Sequence, residues 1–143
     1  MFIKQLTIFV ENTPGRLTEI FEILAEEGID IRAVSVADTA DFGLMRLIVD
    51  KPDAARDIMR KNDIAVSLTD VIAIGSPDKP GAFAKALRVL SDAGMDIEYM
   101  YAAISRSSGT ANVIMRIEDG RKAVVALEAA GVRLLSPGDV YGE

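Results

Sequence analysis

Two short segments carry the residues best suited to chemistry, Asn12-Thr13-Pro14-Gly15 and Asp78-Lys79-Pro80-Gly81. Each lies between a strand-like run and an amphipathic run, where a helix would begin. A helix start offers unpaired N–H groups and a partial positive charge. Proline has no N–H, so Gly15, Arg16 and Leu17 are the expected free donors of the first segment, and Gly15 lets a ligand touch the backbone. A small carboxylate fits. The side chain of Asn12 or Asp78 would accept hydrogen bonds from an ammonium group, so the two features together suit an α-amino acid. Ordinary capping competes with this reading, because proline at the first helical position after Asn, Thr or Asp satisfies the same backbone without a ligand. Recurrence of Pro-Gly in both segments weakens the capping explanation, since capping needs no glycine there, although duplication copies structural residues too.

Other chemistry is poorly supplied. The 143 residues contain no Cys and no His, which removes thiolate nucleophiles, imidazole bases, disulfides and the usual ligands of zinc, iron-sulfur clusters and haem. Asp38, Asp41 and Asp50 would have to supply any magnesium site, but they fall at strand ends, where solvated turn residues are commoner. Tyr99 and Tyr101 share one strand face and either line a pocket or fill core. Glu19, Glu22, Glu26 and Glu27 form the solvated side of a helix. Neither GxGxxG nor GxxxxGK[ST] occurs, so nucleotide binding has no support, and no cofactor is expected. A formal charge of −6 repels phosphate backbones and anionic lipid, which argues against nucleic-acid and membrane partners. Apolar stretches are short and interrupted, with Lys4 and Gln5 inside the first strand-like run, so neither a signal peptide nor a membrane span fits, and a cytoplasmic location is the default.

The elements that must position the two segments repeat. Pro14-Gly15 through Gly28-Ile29-Asp30-Ile31 returns 66 residues later as Pro80-Gly81 through Gly94-Met95-Asp96-Ile97. Farther on the offset grows to 68, as Ile64 meets Val132, and the extra residues fall in Arg106-Ser107-Ser108-Gly109. Two small domains of one fold are therefore expected, residues 1–69 and 70–143, the second with a short C-terminal tail. In each copy a strand (Ile3 to Val10 in the first) precedes a helix whose apolar positions recur every three or four residues: Leu17, Ile20, Phe21 and Leu24, then Phe83, Leu87 and Leu90. Gly28 and Gly94 stop these helices. Two paired strands follow, Ile31 to Ala37 with Leu44 to Val49, and Ile97 to Ser105 with Ala111 to Ile117. Short Ala-rich helices come next, Pro52 to Lys61 with Ile58 and Met59 inward, and Arg121 to Ala130 with Leu127 inward. Final strands run from Ile64 to Leu68 and from Val132 to Leu135. This β-α-β-β-α-β order makes an α+β protein of two ferredoxin-like units, with both helices on one face of each antiparallel sheet. The second strand of each unit is a sheet edge without proline or lysine to block pairing, so the two edges are expected to pair, in one chain or across a homodimer, into an eight-stranded sheet.

The duplicated order, with N-x-P-G-x-L and D-x-P-G-x-F at the first loop and then G-I-D-I and G-M-D-I, resembles the ACT domain family over residues 1–137. The resemblance implies a stand-alone tandem-ACT protein: a non-catalytic sensor that binds a small-molecule effector, usually an amino acid, at the seam between units. It implies that Asn12, Thr13, Gly15, Arg16 and Leu17, and Asp78, Gly81, Ala82 and Phe83, hold the ligand from one side. Tyr99 and Met100, or Ala33 and Val34, would approach from the neighbouring second strand. Arg16 is matched by Ala82 and Arg32 by Glu98, so the two sites cannot be chemically equivalent. The alternative is a regulatory subunit that binds a partner enzyme and has no ligand of its own. A small carboxylate-based enzyme is a third possibility, with no converging polar pair to support it.

Overall fold

The computed structural model describes residues 2–38, 42–105 and 108–142, and these fall in two compact units, one within residues 4–69 and one within residues 70–141 together with residues 2 and 3. In the first unit, Leu6, Ile8 and Val10 alternate with Thr7, Phe9 and Glu11, so strand β1 (Ile3–Glu11) turns one apolar face inward. Ile20 and Leu24, four apart on helix α1 (Arg16–Glu26), close over that face and are fully buried. Burial of each such side chain contributes about 1.5–3 kcal/mol. Strands β2 (Ile31–Asp38) and β3 (Phe42–Val49) pair antiparallel, and β3 pairs in turn with β1. Helix α2 (Pro52–Lys61) begins on Pro52, whose fixed φ suits the first turn, and buries Ala55 and Met59, with Ile58 packed against the same core.

The second unit repeats this plan. Helix α3 (Ala82–Asp92) buries Ala86 and Leu90, and helix α4 (Gly120–Ala129) buries Ala123 and Leu127. Strand β5 (Ile97–Ala103) pairs with β6 (Thr110–Ile117), and β6 pairs with the strand that opens the unit. That strand, β4 (Val66–Pro77), runs unbroken for 12 residues and serves both as the last strand of residues 4–69 and as the first of residues 70–141. Thr69-Asp70 contains neither Gly nor Pro to turn the chain, so it stays extended. The eight expected strands are accordingly seven among the described residues, the last being the short β7 (Arg133–Leu134), which pairs with β4. Strand order within the units is β2-β3-β1-β4 and β5-β6-β4-β7, so the second strand of each plan lies outermost in its own unit.

All four principal helices stop in the same way. The residue in left-handed conformation is Gly28, Asp63, Gly94 or Gly131, and the next amide reaches back to Leu24, Met59, Leu90 or Leu127. A fifth helix, α5 (Pro137–Tyr141), was not expected. It opens with a reciprocal cap: the Ser136 amide donates to Asp139 Oδ2 at 2.9 Å, and the Asp139 amide donates to Ser136 Oγ at 3.1 Å. Among the described residues no helix is long and apolar enough to cross a membrane.

Candidate functional site

The Pro-Gly segments form a turn more specific than a plain helix cap. Gly15 has φ 85° and ψ −7°, Gly81 has φ 86° and ψ −9°, and the amides of Arg16 and Ala82 donate to the carbonyls of Thr13 and Lys79, each at 3.3 Å. These are type II turns, with proline at the second position and glycine at the third, where φ must be positive. Proline therefore precedes the helix instead of occupying its first position. The turn itself requires the glycine, so recurrence of Pro-Gly alone does not distinguish a ligand site from a duplicated turn.

The turn also decides which donors remain. Arg16 and Ala82 spend their amides on the turn, so Arg16, expected as a free donor, does not offer its amide to a ligand. No side chain caps either helix, and the amides of Gly15, Leu17 and Thr18, like those of Gly81, Phe83 and Ala84, find no acceptor among the described residues. Helix starts left uncapped in this way hold a partial positive charge toward solvent. A cavity of about 100 Å³ adjoins the first of them, lined by residues that include Asn12, Thr13, Leu17 and Val36. That is roughly the space of three water molecules at about 30 Å³ each, enough for the carboxylate and ammonium end of an amino acid. Leu17, an apolar position of the helix and also a residue expected at the ligand, is 38% exposed and forms part of this wall.

The second strands divide the remaining expected residues between two faces. Val34 lies opposite Leu47, and Val36 opposite Met45, both on the helix-covered side, yet Val34 and Val36 stay 42% and 50% exposed because the outermost strand projects past the helices. Ala33, opposite Ile48, is buried on the other face. In the second unit Met100 takes the helix side opposite Met115. Tyr99 and Tyr101 take the other face, half-buried, with ring centroids 6.4 Å apart in a stacked pair. The structure therefore joins Asn12, Thr13 and Leu17 with Val36, and it does not bring Ala33 to that cavity. Val36 escaped sequence reading because Val34 and Val36 have the same periodicity, and only strand register decides which lies level with the loop.

The second loop is organised differently. Lys79 and Ala82 line a cavity on one flank of α3, whereas Asp78, Gly81 and Phe83 do not. Arg16, which has no counterpart there, is tied to Glu19 by an ion pair of 3.0 Å. Of the three aspartates considered for a metal, Asp50 accepts the Asp30 amide at 2.9 Å, and Asp41 lies outside the described residues. Among the described residues no three Asp or Glu side chains are gathered as metal ligands.

A family model for the ACT domain pair matches residues 1–130. A crystal structure of a protein from Bacteroides thetaiotaomicron is 44% identical, with a TM-score of 0.93, covering 100% of this chain and 98% of that one. The regulatory subunit of aspartate kinase from Thermus thermophilus, in its ligand-free form, shares the fold at 20% identity, with a TM-score of 0.62 and coverage of 89% and 91%. Its counterpart from Thermus flavus does so at 18% identity, with a TM-score of 0.61 and coverage of 90% and 92%. No functionally curated protein sequence matches. Two β-α-β-β-α-β plans, joined through one strand and each opening its first helix on a Pro-Gly turn, thus agree with the family match: the chain belongs to the ACT domain family, as an ACT domain pair.

Proposed function

We propose that this chain is a non-catalytic regulatory protein that binds a free amino acid at the loop between first strand and first helix, and signals occupancy to a partner protein. The observation that carries this reading is the uncapped start of α1 beside the cavity lined by Asn12, Thr13, Leu17 and Val36. The carboxylate of the ligand takes the amides of Gly15, Leu17 and Thr18, with the helix dipole contributing about 0.3–1 kcal/mol. Its ammonium group donates to the Asn12 side-chain oxygen, and its side chain projects past Leu17 and Val36 toward solvent. The second loop offers Asp78 in place of Asn12, and so a stronger acceptor for the same ammonium group.

A thermal melt against the twenty amino acids tests the proposal. Ligand at about a hundred times its dissociation constant adds roughly 2.7 kcal/mol to the native state, on the order of 5 to 10 °C in melting temperature. At least one amino acid should produce such a shift, and Asn12→Ala should reduce it while leaving the unliganded melt unchanged. A screen in which no amino acid moves the melt overturns the reading. Copurification with a partner enzyme that is indifferent to amino acids would then favour a subunit without a ligand of its own.

A further inference from the structure

The second unit holds a cavity of about 270 Å³ between the start of α3 and β7, whose character differs from the rest of this acidic protein. Lys79, Lys85 and Arg133 line it, with no Asp or Glu in the wall, and Ile74, Ala86 and Val132 make it apolar beneath. Lys79 and Lys85 have no ion-pair partner among the described residues. Among the described residues Arg133 has one ion-pair partner, Asp139 at 4.0 Å, and that carboxylate is already engaged with Ser136. Three cations sharing one concave surface repel one another, an arrangement that costs stability unless an anion offsets it.

The repeat supplies an internal control. At the corresponding positions the first unit has Thr13, Glu19 and Ala65 in place of Lys79, Lys85 and Arg133, and its Glu19 is neutralised by Arg16. The two units share fold and turn, so the fold does not demand this concentration of positive charge. From these observations we propose that the cavity flanking α3 binds a small organic anion carrying two or more negative charges, a phosphate ester or a di- or tricarboxylate. The ligand sets its charged groups among Lys79, Lys85 and Arg133 and its short carbon body on Ile74, Ala86 and Val132. This site is separate from the zwitterion loop of the first unit, and the proposal stands whether or not that loop binds an amino acid.

Isothermal titration of the full chain with inorganic phosphate, glycerol phosphate, succinate and citrate, at one fixed ionic strength set with sodium chloride, tests it. At least one probe should bind saturably, and phosphate-type against carboxylate-type response separates the two sources of charge. Lys85→Glu, which installs the residue of the first unit, should weaken binding about ten- to hundredfold, with Lys79→Thr weakening it less. Asn12→Ala should leave it unchanged. Both lysines are exposed, so the variants should fold, as a thermal melt no lower than that of the parent chain would verify. Absence of saturable heat with all four probes, or equal affinity in Lys85→Glu, overturns the proposal.

Discussion

At the residue scale, Gly15 and Gly81 are constrained by conformation and not by crowding. A Cβ built on either would meet nothing within 4 Å, yet φ of 85° and 86° disfavours any L side chain. Gly15→Ala and Gly81→Ala should each lower stability by about 1–2 kcal/mol in urea unfolding, the cost of one left-handed residue. Gly120 presents the opposite case, since its added Cβ would sit 2.6 Å from Cε1 of Phe2. Gly120→Ala should cost roughly 1–3 kcal/mol by overpacking. Truncation of the ring in Phe2→Ala should remove most of that penalty, so a double-mutant cycle would be strongly non-additive. Equal penalties with and without the ring would contradict the steric account. The Pro-Gly pairs were conspicuous in the sequence, but their conformational role was not, because a type II turn and a ligand loop ask for the same two residues.

At the element scale, α1, α3 and α4 end on glycine, whereas α2 ends on Asp63 with φ 56°. Asp63→Gly should relieve the side chain's strain and raise stability by about 0.5–1 kcal/mol, visible as an increase of a few degrees in the melt; a decrease would contradict it. Helix α5 depends on charge. The backbone amide of Ser136, and then its hydroxyl, hold the Asp139 carboxyl below the usual aspartate range. A depressed carboxylate stabilises the folded state above its unfolded pKa of about 3.9, and that contribution disappears as pH falls through the lower folded value. An NMR titration of Asp139 should therefore give a midpoint below about 3.9, with amide protection in α5 lost across the same step and no such step in Asp139→Asn. A midpoint at or above the ordinary value contradicts the cap. Most elements were legible because apolar spacing and glycine stops are local signals. Helix α5 was missed although Ser136-Pro137 and Asp139 announce it, because its five residues are too few for a periodic pattern to emerge.

At the scale of the whole molecule, duplication made the fold readable, since one plan had to explain two stretches of sequence. Continuity of β4 was not legible: the repeat marks where one copy ends, and only the lack of Gly or Pro at Thr69-Asp70 hints that the chain does not bend there. The cavities lay further out of reach, because each joins residues far apart in sequence: Asn12 with Val36 in one, Lys79 with Arg133 in the other. The two copies keep the same turn while the charges around it differ, Thr13, Glu19 and Ala65 standing where the second copy has Lys79, Lys85 and Arg133, so under the proposed function the copies need not recognise the same ligand. The account centres on the open amides at the starts of α1 and α3. Their NMR resonances, followed while the twenty amino acids are titrated in turn, test it most directly. The expected result is a saturable shift confined to Gly15, Leu17 and Thr18, or to Gly81, Phe83 and Ala84, with one or a few amino acids. Resonances that stay still at millimolar concentrations of all twenty would contradict it.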